Sequence, residues 1–371
     1  MGIDEAPGGK IDITVAVGIP RALAGGGGGG ESGGGQGPVI LLQTVRAASI
    51  PEGLQLLNTT INRRLVVYHN KVFLFGRSLA EKGLERFLFL LARGRQYRRD
   101  VPVMITEGKA SDALRIQPTL EQNPALYLYT LERLSDYTGY FPSTNVTKML
   151  LAYDALGEEA ILPIVHLTPV QGVREEASQS DVGQLSHVQL SGTALFRNDR
   201  MVGELTPNET QVLLLLRGEW TQPAVMVVKN PSLGQGGEVT VEIQEEIPPK
   251  IKVIDLQPKP RLRVEIRMDG EIVDQHSSSI ITLSEDVLEQ IEQEVSRSLI
   301  NRMEEVIEHL QKLGVDSVGF GNYIRGRMLT EEEWMRYRWP EQFPHAEIEL
   351  RIDIELRRTG MVTEPPRVRG T

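Results

Sequence analysis

Chemistry needs acids, bases, nucleophiles or metal ligands at particular spacings. The six histidines are His69, His166, His187, His276, His309 and His345. None lies three or four residues from another, the spacing that sets two imidazoles on one helix face as zinc ligands. The chain has no cysteine, which excludes disulfides, thiolate metal sites and a cysteine nucleophile. Carboxylates come in runs: Glu158-Glu159, Glu175-Glu176, Glu245-Glu246 and Glu331 to Glu333. A glycosidase needs two carboxyl groups opposed at a fixed separation. Runs of this kind fit helix starts, where negative charge complements the dipole, or loops. Gly30-Glu31-Ser32-Gly33-Gly34 matches the G-x-S-x-G pattern of a serine nucleophile. That pattern needs a buried strand before it and a helix after it, and here glycine flanks both sides. No Gly-Lys-Ser/Thr closes the tract as a phosphate loop would require. The sequence therefore nominates no catalytic residue, no cofactor-binding residue and no metal ligand.

Two further groups could bind rather than react. Arg93, Arg95, Arg98 and Arg99 follow a helix that carries Lys82 and Arg86. They could meet anionic lipid headgroups, each contributing about 1 kcal/mol near a charged surface. They equally suit a helix C-terminus and a solvated loop, which is the simpler reading and the preferred one. Trp334, Tyr337 and Trp339 could line a groove, but at helical spacing such rings more often pack a core.

These residues are carried by elements that the residue pattern delimits. Strands are expected near 10–19 and 38–47, joined by a glycine tract, 25–37, read as a flexible loop. Ser49 caps a helix to about Ile61, with Pro51 in its first turn. Leu65 to His69 and Lys71 to Phe75 look strand-like, Leu79 to Ala92 is one strong helix, and Val101 to Ile105 is a strand. Helices follow at Ala110 to Ile116, Thr119 to Leu134 and Thr144 to Leu156, then a strand at Ala160 to Leu167. Residues 168–186 are polar and form the best linker candidate.

Beyond the linker, Val188 to Phe196 and Met201 to Gly203 form a hairpin about Arg197 to Arg200. Thr206 to Glu209 opens a helix to Leu216 as a capping box. Val225 to Val228, Glu238 to Ile243, Ile251 to Ile254 and Leu262 to Met268 read as strands with one wet face. Ser284 caps the longest helix, to Leu313, with an apolar stripe from Val287 to Leu310, and Gly314 stops it. Thr330 to Glu333 starts a short helix, and Ala346 to Leu356 is the last strand. Strands and helices fall in blocks rather than repeating as βαβ, so the class is α+β, multidomain, with mixed or antiparallel sheets under packed helices. The expected domains are an N-terminal α+β domain at 1–185, a β-rich domain at 186–246, and a C-terminal α+β domain at 247–371 containing the long helix.

Length and composition suit this organisation. The 371 residues suffice for two or three domains, and 40% hydrophobic with 24% charged content is that of a folded, soluble chain. A net charge of −10 excludes a chain built as a whole to coat nucleic acid. No run of about 18 apolar residues is present to span a membrane as a helix.

One stretch is more specific: Asp316-Ser317-Val318-Gly319-Phe320-Gly321, then Trp334, Trp339, Phe343 and a strand ending in Thr359-Gly360. It resembles the C-terminal signature of the Ger(x)C family, the C subunits of bacterial spore germinant receptors. Gly2-Ile3-Asp4 before a Lys-Ile strand resembles the family's opening. Arg63-Arg64-Leu65 to His69-Asn70-Lys71, Gly76 and Leu79 to Gly83 are similar to its next segment. Gly192-Thr193-Ala194-Leu195-Phe196, Val202 to Leu205 and Glu209-Thr210 match its mid-chain hairpin and helix. The matches keep their order along nearly the whole chain.

The resemblance implies a three-domain α+β lipoprotein with no known catalytic activity and no cofactor, on the outer face of the inner spore membrane. Its partners would be an A subunit and a membrane-embedded, transporter-like B subunit. The complex would answer nutrients and trigger germination. No ligand residue is implied. The signal peptide and lipid-modified cysteine of the family are not in this sequence, so Met1 is expected to be an internal methionine or a displaced start with the anchor upstream. Two other functions are weighed against this one: a cell-envelope enzyme acting on a glycan, which needs a cleft with paired carboxylates, and a soluble nutrient-binding module, which needs a compact polar pocket.

Overall fold

The computed structural model describes residues 1–19, 40–116, 118, 121, 123–167, 188–220, 223–229, 238–276 and 285–358. The glycine tract, the 168–186 linker, Ser284 and Thr359-Gly360 lie outside them. The chain forms two compact units: Met1–Ser135 with Tyr140–Ala155 and Glu159–Pro207, and Asp136–Gly139 with Leu156–Glu158 and Asn208 onward.

The first unit is built on an eight-stranded sheet. Its strands are β1 (Gly2–Glu5), β2 (Ile11–Gly18), β3 (Ile40–Ala47), β4 (Phe73–Gly76), β5 (Val103–Thr106), β6 (Ile161–His166), β7 (Gln189–Arg197) and β8 (Arg200–Leu205). Their order is β3-β2-β1-β4-β5-β6-β7-β8. The centre, β1-β4-β5-β6, is parallel, and antiparallel pairs close both sides. Parallel neighbours need crossovers, and helices provide them. Between β4 and β5 run α2 (Arg77–Lys82) and α3 (Glu85–Arg93); between β5 and β6 run α4 (Ala110–Ala113), α5 (Pro124–Glu132), α6 (Ser135–Thr138) and α7 (Val146–Asp154). The stretch 73–166 is thus a β-α-β-α-β unit, against the expectation that strands and helices stay in separate blocks. The four-residue strands β4 and β5 are too short to show a repeat. α1 (Ile50–Leu57) begins as expected, with the Ser49 hydroxyl accepting the Glu52 N–H.

Strand residues alternate between two apolar layers. Phe73, Phe75, Val103, Ile105, Leu162 and Ile164 face a core shared with Leu54, Leu57, Phe87, Leu88 and Leu91. Val72, Leu74, Met104, Val165 and Leu190 face the other way, against Ala110, Ala113, Leu114 and Leu128. A sheet buried on both faces explains why β4, β5 and β6 read as short continuous apolar runs.

Two expected elements differ. Leu65 to His69 is not a strand; Val67–His69 is a single 3-10 turn. The expected helix Leu79 to Ala92 is two helices, broken at Gly83, whose φ of +123° lies outside the helical region. The polypeptide redirects there because the turn of the β7–β8 hairpin docks at that point. The Leu84 N–H donates to the Asp199 carbonyl at 2.9 Å and the Glu85 N–H to the Asp199 carboxylate at 3.1 Å, so Asp199 caps α3 from 114 residues away.

The second unit has a four-stranded sheet of order β12-β11-β10-β9: β9 (Ala224–Lys229), β10 (Glu238–Asp255), β11 (Arg261–His276) and β12 (Glu347–Arg358). β8 leads into α8 (Pro207–Arg217). α9 (Glu285–Leu313), α10 (Phe320–Arg325), α11 (Glu331–Tyr337) and α12 (Trp339–Gln342) connect β11 to its parallel neighbour β12. α9 buries Ile291, Val295, Leu299, Met303, Val306, Ile307 and Leu310, a stripe at the expected 3.6-residue period, against β9 and β12. Ala224, Met226 and Val228 of β9 face inward while Val225 and Val227 are each 59% exposed, so one face of this sheet is wet, as alternation implied.

β10 is one strand where two were expected. It passes Pro248-Pro249, which cannot donate to the ladder, by shifting register between Glu245 and Ile247 and again between Ile247 and Lys250. It therefore spans the expected 246/247 domain boundary. Strands β7 and β8 place 189–205 in the first unit rather than in a middle domain.

Candidate functional site

The residues most specific in sequence converge on a buried knot in the second unit. α9 ends in a Schellman turn: Gly314 is left-handed, its N–H reaches the Gln311 carbonyl, and the Val315 N–H reaches Leu310. The next residue, Asp316, is 5% exposed. Its Oδ1 accepts the N–H groups of Gly319 at 2.8 Å and Phe320 at 3.1 Å; its Oδ2 accepts Gly321 N–H at 2.7 Å and the Trp339 indole N–H at 2.8 Å. Burial pushes the carboxyl up to about 6, against these four hydrogen bonds, which pull it down.

The glycines exist to let these groups meet. Gly319 sits at φ +89°. A Cβ on Gly321 would lie 2.5 Å from the Trp339 ring, and one on Gly157 would lie 2.6 Å from the Asn322 nitrogen. Two backbone segments and one indole are pressed together with no room for a methyl group. Trp339 stacks parallel to Tyr337 and tilts against Phe343, and Phe343 meets Phe320. Trp334 and Trp339 are therefore core, while half-buried Tyr337 covers Trp339 and donates through its hydroxyl to the Leu256 carbonyl. Arg217 donates through Nη1 to the Ser317 carbonyl, tying the knot to α8.

The other recognisable segments are packed in the same manner. Asp4 is buried, and its two oxygens accept the N–H groups of Ala110 at 2.7 Å and Ser111 at 3.0 Å, joining β1 to the start of α4. A Cβ on Gly76 would come within 2.4 Å of that carboxylate. Burial raises the Asp4 carboxyl while the two backbone hydrogen bonds oppose the shift. Sequence reasoning could pick out both aspartates but not their donors, which lie up to 107 residues away.

The groups weighed for chemistry are not brought together. His69 stands edge-on to Tyr68, His166 bridges Glu107 and the Ser191 carbonyl, and His309 contacts Glu209. Among the described residues no three His, Asp or Glu side chains cluster as metal ligands. Glu159 accepts from the Asn198 N–H, and Glu333 accepts from the N–H of Leu329, the residue before the Thr330 cap of α11. Glu245 is unusual. Its Oε1 is buried with no hydrogen-bond partner, and burial pushes the carboxyl up to about 8. His187, Glu175, Glu176 and the G-x-S-x-G match lie outside the described residues.

Comparison with known proteins agrees with this architecture. Residues 1–167 match the spore germination protein N-terminal domain, and residues 191–360 match the spore germination B3/GerAC-like C-terminal domain. The chain belongs to the Ger(x)C family of spore germination proteins. Spore germination protein KC of Bacillus subtilis (strain 168) is 22% identical over 88% of this chain and 81% of its own length. Spore germination protein GerQC of Bacillus cereus is 23% identical over 79% of this chain and 75% of its own. The crystal structure of the GerBC protein, 19% identical, superposes over 96% of both chains with a TM-score of 0.59, so the fold is shared. No described helix is long and apolar enough to cross a membrane.

Proposed function

We propose that this Ger(x)C protein is the C subunit of a nutrient germinant receptor at the spore membrane, and that it works by holding partner subunits rather than by catalysis. One observation supports the non-catalytic reading above others. The residues that make the sequence recognisable, Gly2, Asp4, Gly76, Gly83, Asp316, Gly319, Gly321 and Trp339, are engaged in holding backbone to backbone. Asp316, the most chemically suggestive of them, has both oxygens filled by donors and is shut away from solvent, so it has no lone pair aimed at a substrate.

The partners in this reading are an A subunit and a membrane-embedded B subunit, and the outer face of the inner spore membrane is the location. A lipid anchor preceding this sequence would hold it there. The test is recovery of the complex: the chromosomal copy is tagged, spore inner membranes are cross-linked, and the tagged protein is purified. Co-recovery of A- and B-type subunits is the expected result. Recovery of the protein from the membrane fraction without either subunit would contradict the proposal.

A further inference from the structure

Charge is unevenly placed along this chain. Residues 61–100 hold ten Lys and Arg against three Asp and Glu, in a protein of net charge −10. The structure gathers much of that excess onto one surface of the first unit. Arg93, at the end of α3, lies with its guanidinium 5.9 Å from the Phe89 ring centre. Arg99 folds back to donate to the Ala92 carbonyl at 3.0 Å, which seats the 94–100 loop against the same helix end. Arg98 lies 5.6 Å from the Tyr68 ring centre, and Lys71 lies 5.3 Å from that of Tyr129. Buried Tyr97 packs on Phe73 and anchors the loop from beneath. Asp100, paired with Arg98, offsets part of the charge.

Large apolar side chains are exposed within this basic surface. Phe89 is 50% exposed, Val66 51% and Tyr68 54%. Favourable charge at a helix C-terminus accounts for Arg93 alone. It does not account for Lys71 and Arg98, which come from other segments, nor for an exposed phenylalanine between cations.

We infer that this surface, centred on Phe89, Arg93, Arg99, Tyr68 and Lys71, docks on an anionic lipid bilayer. Basic side chains attract the headgroups while rings and aliphatic groups enter the interface, the division of labour of peripheral membrane surfaces. A nucleic acid fits less well. Base stacking needs open ring faces, and here Arg93 and Arg98 each cover a face of Phe89 and Tyr68. The inference concerns this chain's own surface and stands apart from the receptor assignment.

The experiment is co-sedimentation of the full chain, without a lipid anchor, with vesicles of phosphatidylglycerol and phosphatidylcholine or of phosphatidylcholine alone. Binding is expected only with phosphatidylglycerol, weakening as salt rises. Neutralising three cations in R93Q/R95Q/R99Q should lower the partition coefficient roughly a hundredfold, with circular dichroism unchanged. If that variant misfolds, K71Q/R98Q takes its place with a loss of roughly thirtyfold. F89S should weaken binding while retaining the salt dependence. No enrichment on phosphatidylglycerol vesicles, equal binding to both vesicle types, or wild-type binding by the charge-neutralised variant would overturn the inference. So would full displacement by inorganic polyphosphate together with no effect of F89S, which would mark a site for soluble polyanions instead.

Discussion

The Trp339 indole N–H donates to Asp316 Oδ2 at 2.8 Å, across 23 residues of sequence. It is the one side-chain donor among four to a carboxylate with no route to water, so the pair joins the end of α9 to the start of α12. Removing the acid leaves three backbone N–H groups and an indole without an acceptor. D316A should therefore cost about 3–5 kcal/mol, a large part of a typical domain's stability. D316N should also be destabilising, because its amide N–H₂ would confront donors on one side. W339F removes one donor and leaves three, and should cost about 1–3 kcal/mol. Urea unfolding measures all of these. Additive effects of D316A and W339F would show that the two residues act independently, contrary to this geometry.

The close approach at Gly321 and Gly157 gives a second prediction. G321A must displace the Trp339 ring, and G157A must separate two backbones that have no flexible end to give way. Overpacking of this kind costs about 1–3 kcal/mol, and more where backbone is the obstacle. A Cβ on Gly321 would also come within 2.7 Å of the Gly157 carbonyl oxygen, so both variants should fall at or above the upper end of this range, as thermal melting would show.

One carboxyl makes stability fall as pH rises: burial without a hydrogen-bond partner raises Glu245 to about 8. A carboxyl with a folded value above its unfolded one contributes stability that is complete below about pH 4 and lost as pH rises through the folded value. That window is about pH 4 to 8 for Glu245. E245Q keeps the neutral shape at every pH. It should match the wild type near pH 4 and exceed it by about 1–3 kcal/mol at pH 9. Equal stabilities of the two proteins at pH 9 would remove Glu245 from this account.

The Asp4 knot should behave locally. D4A leaves the Ala110 and Ser111 N–H groups unpaired, at about 1–3 kcal/mol each. Hydrogen exchange should then quicken at 110–111 and along β1, while the amides held by Asp316 keep their protection. Loss of protection at 319–321 in D4A would contradict two separately held knots.

The legibility of this chain in sequence follows the range of each interaction. The stripe from Ile291 to Leu310 announces α9 because helix periodicity repeats over many turns. The Ser49 and Thr330 to Glu333 start signals locate helices because a cap is made within four residues. The break at Gly83 is hidden because Asp199, which fixes it, is distant in sequence. The continuity of β10 through Pro248-Pro249 is hidden because only its partner β11 shows that the ladder resumes. The Asp316 loop stands out through its glycines, yet the reason for them, Trp339 and Gly157, appears only in space. The basic surface is visible as a charge run, but its exposed aromatic members, Tyr68 and Phe89, come from two separate segments.

The central claim is that this Ger(x)C protein serves nutrient germination as a receptor subunit. The direct measurement is germination of spores from which its gene alone has been deleted. Nutrient-triggered germination through its receptor should be abolished and restored by the wild-type gene, while germination by dodecylamine or calcium dipicolinate proceeds normally. Undiminished nutrient germination through the same receptor in the deletion strain would contradict the account.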